Sequence, residues 1–133
     1  MKYLSLMLFL GLVLANTHAS AESPNPICKE TENGIVKDFY PDGQLKTEWR
    51  CQNGHLNGVS KLYFENGTVE NESSYADDVR QGVTNSYYES GALKSICNFN
   101  NGELDGDHKI FYENGTIKEL TFYKDGIEVD ENR

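Results

Sequence analysis

Glycines recur at a spacing of 24 residues, and this internal repeat restricts the possible folds more than any other feature of the sequence. The first set consists of Gly34, Gly58, Gly82 and Gly106. The second set follows nine residues later in each unit and consists of Gly43, Gly67, Gly91 and Gly115. A repeat of this length predicts equivalent units that stack side by side, because a single unit cannot bury its apolar surface alone.

An aromatic pair precedes the second glycine of every unit. The four pairs are Phe39-Tyr40, Tyr63-Phe64, Tyr87-Tyr88 and Phe111-Tyr112. Each pair leads into a short polar segment that ends in Asp-Gly, Asn-Gly or Ser-Gly, where glycine accepts a positive φ and the preceding side chain can bond its own backbone. The flanking residues are rich in aromatic and β-branched side chains, which favour strands. Each unit is therefore predicted to be a β-hairpin.

The hairpins are expected to join into an all-β fold, an elongated single antiparallel sheet of four units. The predicted repeat domain is 34–130, divided into 34–57, 58–81, 82–105 and 106–130. One hairpin alone is marginal in water, so the units must share a core. The outer strands need protection against edge pairing. We expect the lead-in 22–33 to fold over one edge and the charged tail, Ile127–Arg133 with 131–133 beyond the repeats, to end the sheet at the other.

The first 21 residues have the pattern of a cleavable export signal. Lys2 precedes the apolar run Leu4–Ala15, and the triplet Ala19-Ser20-Ala21 provides a small-x-small cleavage site. The apolar run is shorter than the roughly 20 residues that span a bilayer. We therefore expect cleavage after Ala21 and export to the periplasm or the medium, with a bacterial envelope as the expected compartment.

Acidic residues outnumber basic ones by 21 to 12, which gives a formal charge of −9. Removal of residues 1–21 would leave 112 residues, enough for one small domain, whose 11 basic and 21 acidic side chains give −10. This excess disfavours a nucleic-acid ligand, since phosphate contacts need clustered cations. It also disfavours anionic membrane lipids. A protein partner with a basic surface would fit the charge by electrostatic steering.

The three cysteines of an exported chain leave one unpaired. Cys28 lies in the irregular lead-in and could fold onto the first hairpin, so Cys28 with Cys51 is the preferred disulfide. In a flat sheet Cys51 and Cys97 would lie two hairpins apart, about 19 Å by strand spacing, whereas a disulfide needs Cα atoms within about 7 Å. Cys97 is then expected to be a free, buried residue.

The sequence contains no recognisable catalytic or metal-binding pattern. His55 lies in an inter-unit loop and His108 in a first strand, and neither has an acid or nucleophile at the spacing of a triad. The cysteines lack a C-x-x-C spacing, and the acidic segment 103–107 lacks the calcium-loop pattern. We therefore expect no catalytic residue, no metal ion and no cofactor. The paired aromatic columns are the candidate core or binding residues, with one row facing inward and the other outward.

One unit shows the whole repeat pattern: Tyr87-Tyr88, Ser90-Gly91, Leu93, Phe99 and Gly102-Glu103-Leu104-Asp105-Gly106. This pattern resembles the bacterial variant of the MORN repeat (membrane occupation and recognition nexus), as in YwqK-type proteins that are often labelled antitoxins. The second unit departs from it, with Asp78 in place of the closing glycine and Arg80 in place of the next aliphatic residue. The resemblance covers residues 34–130. It implies an elongated single-sheet binding module without catalytic residues, and the antitoxin label implies a partner toxin.

The leading hypothesis is an exported, non-enzymatic repeat module that binds a protein or another macromolecule. Two alternatives stay open at this point. One is an antitoxin or immunity-type inhibitor of a toxin, and the other is a small enzyme of the cell envelope.

Overall fold

The computed structural model describes residues 25–130, which form one open antiparallel sheet and confirm the predicted all-β fold. The expected export signal 1–21, the first residues of the lead-in and the tail 131–133 lie outside the described residues. The strands are β1 (Gly34–Phe39), β2 (Leu45–Gln52), β3 (His55–Leu56), β4 (Gly58–Tyr63), β5 (Val69–Ala76), β6 (Val79–Tyr87), β7 (Leu93–Asn100), β8 (Glu103–Leu104), β9 (Gly106–Phe111), β10 (Ile117–Lys124) and β11 (Ile127–Val129). Residues 25–130 contain no helix that could cross a membrane.

The long strands follow one another across the sheet in sequence order. Their order is β1-β2-β4-β5-β6-β7-β9-β10-β11, and the two-residue strands β3 and β8 pair with β2 and β7. All four predicted hairpins are present, and their turns share one hydrogen-bond pattern. In the first hairpin the Tyr40 N–H donates to the Gln44 carbonyl at 2.8 Å, and the Gly43 N–H donates to the Tyr40 carbonyl at 2.9 Å. The same bonds recur 24, 48 and 72 residues later.

Tight turns of a second kind join one unit to the next. In each of them both central residues have positive φ: Asn53-Gly54, Asp77-Asp78, Asn101-Gly102 and Asp125-Gly126. Two successive positive φ angles match the type I′ turn, whose twist suits antiparallel strands. Asp78, at φ 68°, takes the place of glycine in the second unit. Its carboxylate accepts the Leu56 N–H at 2.7 Å and lies 2.6 Å from His55 Nδ1, contacts that offset the backbone strain.

The register of the strands aligns equivalent residues in rows that cross the sheet. One row reads Lys37, Glu48, Lys61, Glu72, Asn85, Ile96, Lys109 and Leu120, each residue being paired with the next. Adjacent positions on the strands point to the opposite side, where another row reads Ser60, Ser73, Thr84 and Cys97. We call the side of the first row the charged face and the side of the second row the hydroxyl face.

Ion pairs and tyrosine hydroxyls link neighbouring strands on the charged face. Lys61 Nζ lies 2.9 Å from a Glu72 carboxylate oxygen, and the Tyr87 hydroxyl donates to the other at 3.0 Å. The hydrogen bond from Lys61 outweighs burial and, with that from Tyr87, holds the pKa of Glu72 below its usual value. Burial, followed by the bond to Glu72, raises the pKa of Tyr87. Glu48 makes the same set of contacts in the first unit, with Lys37 at 3.1 Å and the Tyr63 hydroxyl at 2.8 Å.

The buried apolar residues of 25–130 are few and lie at one end of the sheet. They are Cys28, Cys51 and Leu56, with Val36, Trp49 and Tyr75 packed against them. A sheet with so small a core depends on its cross-strand pairs and on covalent links for stability.

A disulfide joins Cys28 to Cys51, with their Cα atoms 5.7 Å apart. Backbone bonds add to it, since the Asn25 N–H donates to the Gly54 carbonyl at 3.0 Å and the Gly54 N–H to the Glu32 carbonyl at 2.9 Å. Residues 25–33 are thus bound to the turn between β2 and β3.

The other end of the sheet differs from the expected charged tail. Ile127–Val129 was expected to belong to a tail that ends the sheet, but it forms β11 and pairs with β10. The reason is local, because Asp125-Gly126 adopts the same positive-φ turn as the inter-unit turns before it. Strand pairing therefore continues through Val129, within the predicted fourth unit 106–130.

The disulfide generates a first prediction. Replacement of both Cys28 and Cys51 by Ser should lower the free energy of unfolding by about 3 kcal/mol, because the bond closes a loop with a sequence separation of 23. Urea unfolding measured by circular dichroism gives this value. Cys97→Ser is the matched control and should leave the unfolding midpoint near that of the wild type. Equal stability of the double variant and the wild type would contradict the structural role of the disulfide.

The charged face generates a prediction about pH. The pKa of Glu72 is lower in the folded protein than in the unfolded chain, so its ion pair stabilises the fold above the unfolded pKa and stops doing so as pH falls through the folded pKa. At pH 7, Glu72→Gln should lower the unfolding free energy by roughly 0.5–1 kcal/mol, a value appropriate to a half-exposed pair. The difference from the wild type should shrink as pH falls from about 5 to 3.

Urea midpoints measured across this pH range test the prediction. Glu65→Gln, in the exposed turn after β4, is the matched control and should behave as the wild type at every pH. A deficit for Glu72→Gln that stays constant down to pH 3 would show that the ion pair is not its cause.

Candidate functional site

A groove of about 360 Å³ lies on the hydroxyl face and crosses β2, β4, β5 and β6. Six of its lining residues belong to the aligned rows or pack beside them: Trp49, Leu62, Asn71, Ser73, Tyr75 and Ser86. The groove therefore spans the first three units of the repeat.

Small hydroxyl side chains form the floor of the groove. Ser60 and Ser73 are buried, although the described sheet is a single layer, and they line the groove together with larger side chains. Ser60 Oγ accepts the Arg50 N–H at 3.2 Å, and the Ser73 hydroxyl donates to Asn71 Oδ1 at 2.7 Å. The floor is thus polar and shallow, and its hydroxyls are held by local hydrogen bonds.

Aromatic and aliphatic side chains form the walls. Trp49 and Tyr75 meet edge to face, with ring centroids 6.4 Å apart and an interplanar angle of 68°. Both pack against the buried cluster around the disulfide, which holds them in place. Leu62 and Phe64 lie further along the groove. Rings fixed in this way offer a large apolar contact area at a small cost in conformational entropy.

Two exposed cations stand at the groove. The Arg80 guanidinium lies 5.2 Å from the centre of the Phe99 ring, and Lys94 Nζ lies 5.6 Å from the centre of the Tyr88 ring. Within residues 25–130 neither cation forms an ion pair with a carboxylate. Lys61 also lines the groove and is paired with Glu72, and Glu70 is the acidic residue of the lining.

The paired aromatics predicted as candidate sites are distributed along the hairpin ends. The first members end the strands β1, β4, β6 and β9, and Tyr63 and Tyr87 bond carboxylates of the charged face. The second members lie at the hairpin turns, where the hydroxyl of Tyr40 donates to the Tyr63 carbonyl at 2.6 Å and that of Tyr88 to the Phe111 carbonyl at 2.8 Å. Of the eight paired aromatics, Phe64 and Tyr87 line the groove.

The histidines and the free cysteine lie outside the groove lining. His55 is bonded to Asp78 at the inter-unit turn. Burial would raise the pKa of Asp78, but the hydrogen bonds from His55 and the Leu56 N–H together hold it below its usual value. The His108 ring centroid lies 6.1 Å from that of Tyr123. Cys97 is half-buried opposite Thr84, and burial raises the pKa of its thiol, which makes it a poor nucleophile at neutral pH.

Residues 25–130 contain no group of three His, Cys, Asp or Glu side chains placed to hold a metal ion. The groove chemistry consists of hydroxyls, an amide, rings, cations and the Glu70 carboxylate, a set suited to reversible binding.

Sequence reasoning missed most of the groove. Trp49, Tyr75 and the buried serines were not among the predicted site residues, because their joint position on one face depends on the register of strands from different units. One available signal was Arg80, which departs from an aliphatic column. Departures from the repeat, more than the repeated aromatics, mark the site.

The family comparison agrees with this architecture. No curated protein matches the chain. The family model described as "MORN repeat variant" matches four segments, 32–50, 56–77, 80–101 and 104–125, which together cover more than half of the sequence. These segments follow the four units of the sheet, and the chain therefore belongs to the MORN repeat variant family.

Proposed function

We propose that this protein is an exported, non-catalytic module that binds a partner protein in the groove of its hydroxyl face. MORN repeats are typically binding modules that contact proteins or membranes, and the family is generally non-enzymatic. The partner, the groove as its site and the export of the chain are the parts that this proposal adds.

The composition of the groove carries the proposal. Trp, Tyr and Arg are the residue types that most often dominate the binding energy of protein interfaces, and Trp49, Tyr75 and Arg80 all line this groove. Trp49 is the single tryptophan of the chain. The serine floor and Asn71 add hydrogen-bonding groups that can meet a peptide backbone.

Export rests on the sequence of residues 1–21 and agrees with the disulfide. A disulfide persists in oxidising compartments such as the periplasm or the medium. Intact mass of the purified protein checks the cleavage position, which should leave Glu22 as the first residue.

Inhibition of a toxin is one specific form of this function. It requires that the bound partner has an activity of its own and that this activity falls when the complex forms. The overall acidic charge would speed the encounter with a basic protein of this kind.

The test is a pull-down of partner proteins from the envelope and medium of the producing cells. The bait is the tagged protein, expressed from its full-length sequence. Leu62 lies in the groove, in a column that holds Asp in the first unit, so Leu62→Asp should keep the fold. The substitution places a charge where the groove wall was apolar and should therefore weaken binding of the partner. We expect a stoichiometric protein partner on the wild type and a loss of at least about tenfold with Leu62→Asp, as is usual for a residue at the centre of an interface.

Ile110→Asp is the matched control, because Ile110 occupies the same column in the fourth unit and lies outside the groove lining. It should capture the partner as well as the wild type does. Equal capture by wild type and Leu62→Asp, with equal urea midpoints for both, would contradict the groove as the binding site.

A further inference from the structure

The second unit departs from the repeat at three positions that line the groove. Phe64 stands where the other units have a tyrosine, at Tyr40, Tyr88 and Tyr112. Glu70 stands where the others have a lysine, at Lys46, Lys94 and Lys118. Arg80 stands in the column of Leu56 and Leu104. The groove is thus formed where the repeat is least regular.

The departures also remove contacts that stabilise the other units. Phe64 lacks the hydroxyl with which Tyr40 and Tyr88 bond a carbonyl of the next unit. Glu70 replaces a lysine that, in the other three units, lies 5.6–5.8 Å from the ring centre of its own hairpin. The second unit thus lacks two contacts that recur in the other units, and the residues that replace them, Phe64 and Glu70, line the groove. This combination indicates a binding site more than a defect in the repeat.

The cations of the groove differ from those that form ion pairs elsewhere on the sheet. Of the ten Lys and Arg residues within 25–130, Lys37, Lys61, Lys109 and Lys124 have a carboxylate partner. Arg80 and Lys94 contact aromatic rings and, within residues 25–130, have no carboxylate partner. Their charges are therefore available to an anionic ligand.

The two cations mark the ends of the groove along the strands. Arg80 lies near the start of β6, and Lys94 lies near the start of β7, beside the end of β6. About six residues of strand separate these levels, or about 20 Å. Tyr75 pairs directly with Arg80 at one end, Leu62 lies level with Ser86 at the other, and Trp49 and Ser73 lie at the levels between them. An extended peptide with two acidic side chains about six positions apart would span this distance.

We propose that the groove binds an extended segment of a partner protein in which two acidic side chains, flanking apolar ones, reach Arg80 and Lys94. This inference rests on the proposed function and adds the chemistry of the bound segment. The acidic side chains of the segment meet the two cations of the groove. The remaining, acidic surface of this protein is complementary to basic regions elsewhere on the partner.

Other anionic ligands fit the observations less well. Nucleic acids and anionic bilayers present many regularly spaced charges, which need several clustered cations, whereas the groove has two cations without a described carboxylate partner in a strongly acidic chain. A peptide combines few charges with apolar side chains and backbone groups. These match the rings and the serine floor of the groove.

The test is selection of random twelve-residue displayed peptides on the protein expressed from its full-length sequence. The wild type should enrich peptides with acidic residues about six positions apart and apolar residues between them. Arg80→Leu combined with Lys94→Ala should lose this preference, while Leu in that column keeps the repeat intact. Lys46→Ala combined with Lys118→Ala is the matched control, since it also removes two ring-bound cations but leaves the groove unchanged.

Trp49 fluorescence then measures the affinity of one selected peptide, because the single tryptophan lines the groove. Replacing both acidic residues of the peptide by Gln should weaken binding about tenfold or more, as for charge-assisted hydrogen bonds. Added salt should weaken binding of the acidic peptide and leave binding of the Gln peptide nearly unchanged.

Three results of the peptide selection would overturn the inference. They are enrichment of basic or neutral peptides, an acidic preference that persists in the Arg80→Leu, Lys94→Ala variant, and no enrichment above that variant. Phosphatidylglycerol vesicles that bind the wild type but not this variant would identify a membrane surface instead and also overturn it. If partner capture remains sensitive to Leu62→Asp in any of these cases, the proposed function stands and only the chemistry of the segment is wrong.

Discussion

Backbone pairing between neighbouring strands is the interaction on which the rest of this structure depends. Residues 25–130 form one sheet, and their buried apolar residues are confined to Cys28, Cys51 and Leu56 near one end. Each unit is held by the unit beside it, through hydrogen bonds that follow the same register at every step. A period of 24 residues without insertion keeps that register, so equivalent side chains line up in rows. The ion pairs of the charged face and the serine row of the hydroxyl face both result from this alignment.

The same alignment explains how a repetitive sheet acquires a specific site. Identical units would give a uniform surface with no preferred position for a partner. Here the second unit carries Phe64, Glu70 and Arg80 in columns where the other units have different residues, and these three line the groove. The neighbouring units supply Trp49 and Lys94 and keep the strands in place. Regular units thus provide the support, and the irregular unit provides most of the chemistry.

Much of the fold could be predicted from the sequence because its signals are local. Gly43 and its equivalents define hairpin turns, and the residues between the turns have strand propensity, so the four hairpins and the single sheet followed directly. The preferred cysteine pair needed only distance reasoning, and Cys28 and Cys51 are joined in the structure. β11 was missed because Ile127–Val129 was assigned to the charged tail, although Asp125-Gly126 has the same positive-φ geometry as the earlier inter-unit turns.

The groove was harder to predict because it depends on register between units. Trp49 and Tyr75 are 26 positions apart and meet only because β2, β4 and β5 are neighbours. The repeated aromatic pairs drew attention in the sequence, yet four of the eight residues bond carbonyls or carboxylates within the sheet. Frequency of repetition therefore identified the residues of the scaffold. Position-specific departures such as Arg80 identified the candidate site, and their meaning required the three-dimensional arrangement.

Cross-strand nuclear Overhauser effects between units test the central claim most directly. The claim is that each unit pairs with the next in a constant register across the sheet. It predicts backbone contacts between Glu48 and Lys61, between Glu72 and Asn85, and between Ile96 and Lys109. Contacts confined to the individual hairpins, or inter-unit contacts displaced by two residues, would contradict the claim and remove the basis of the groove.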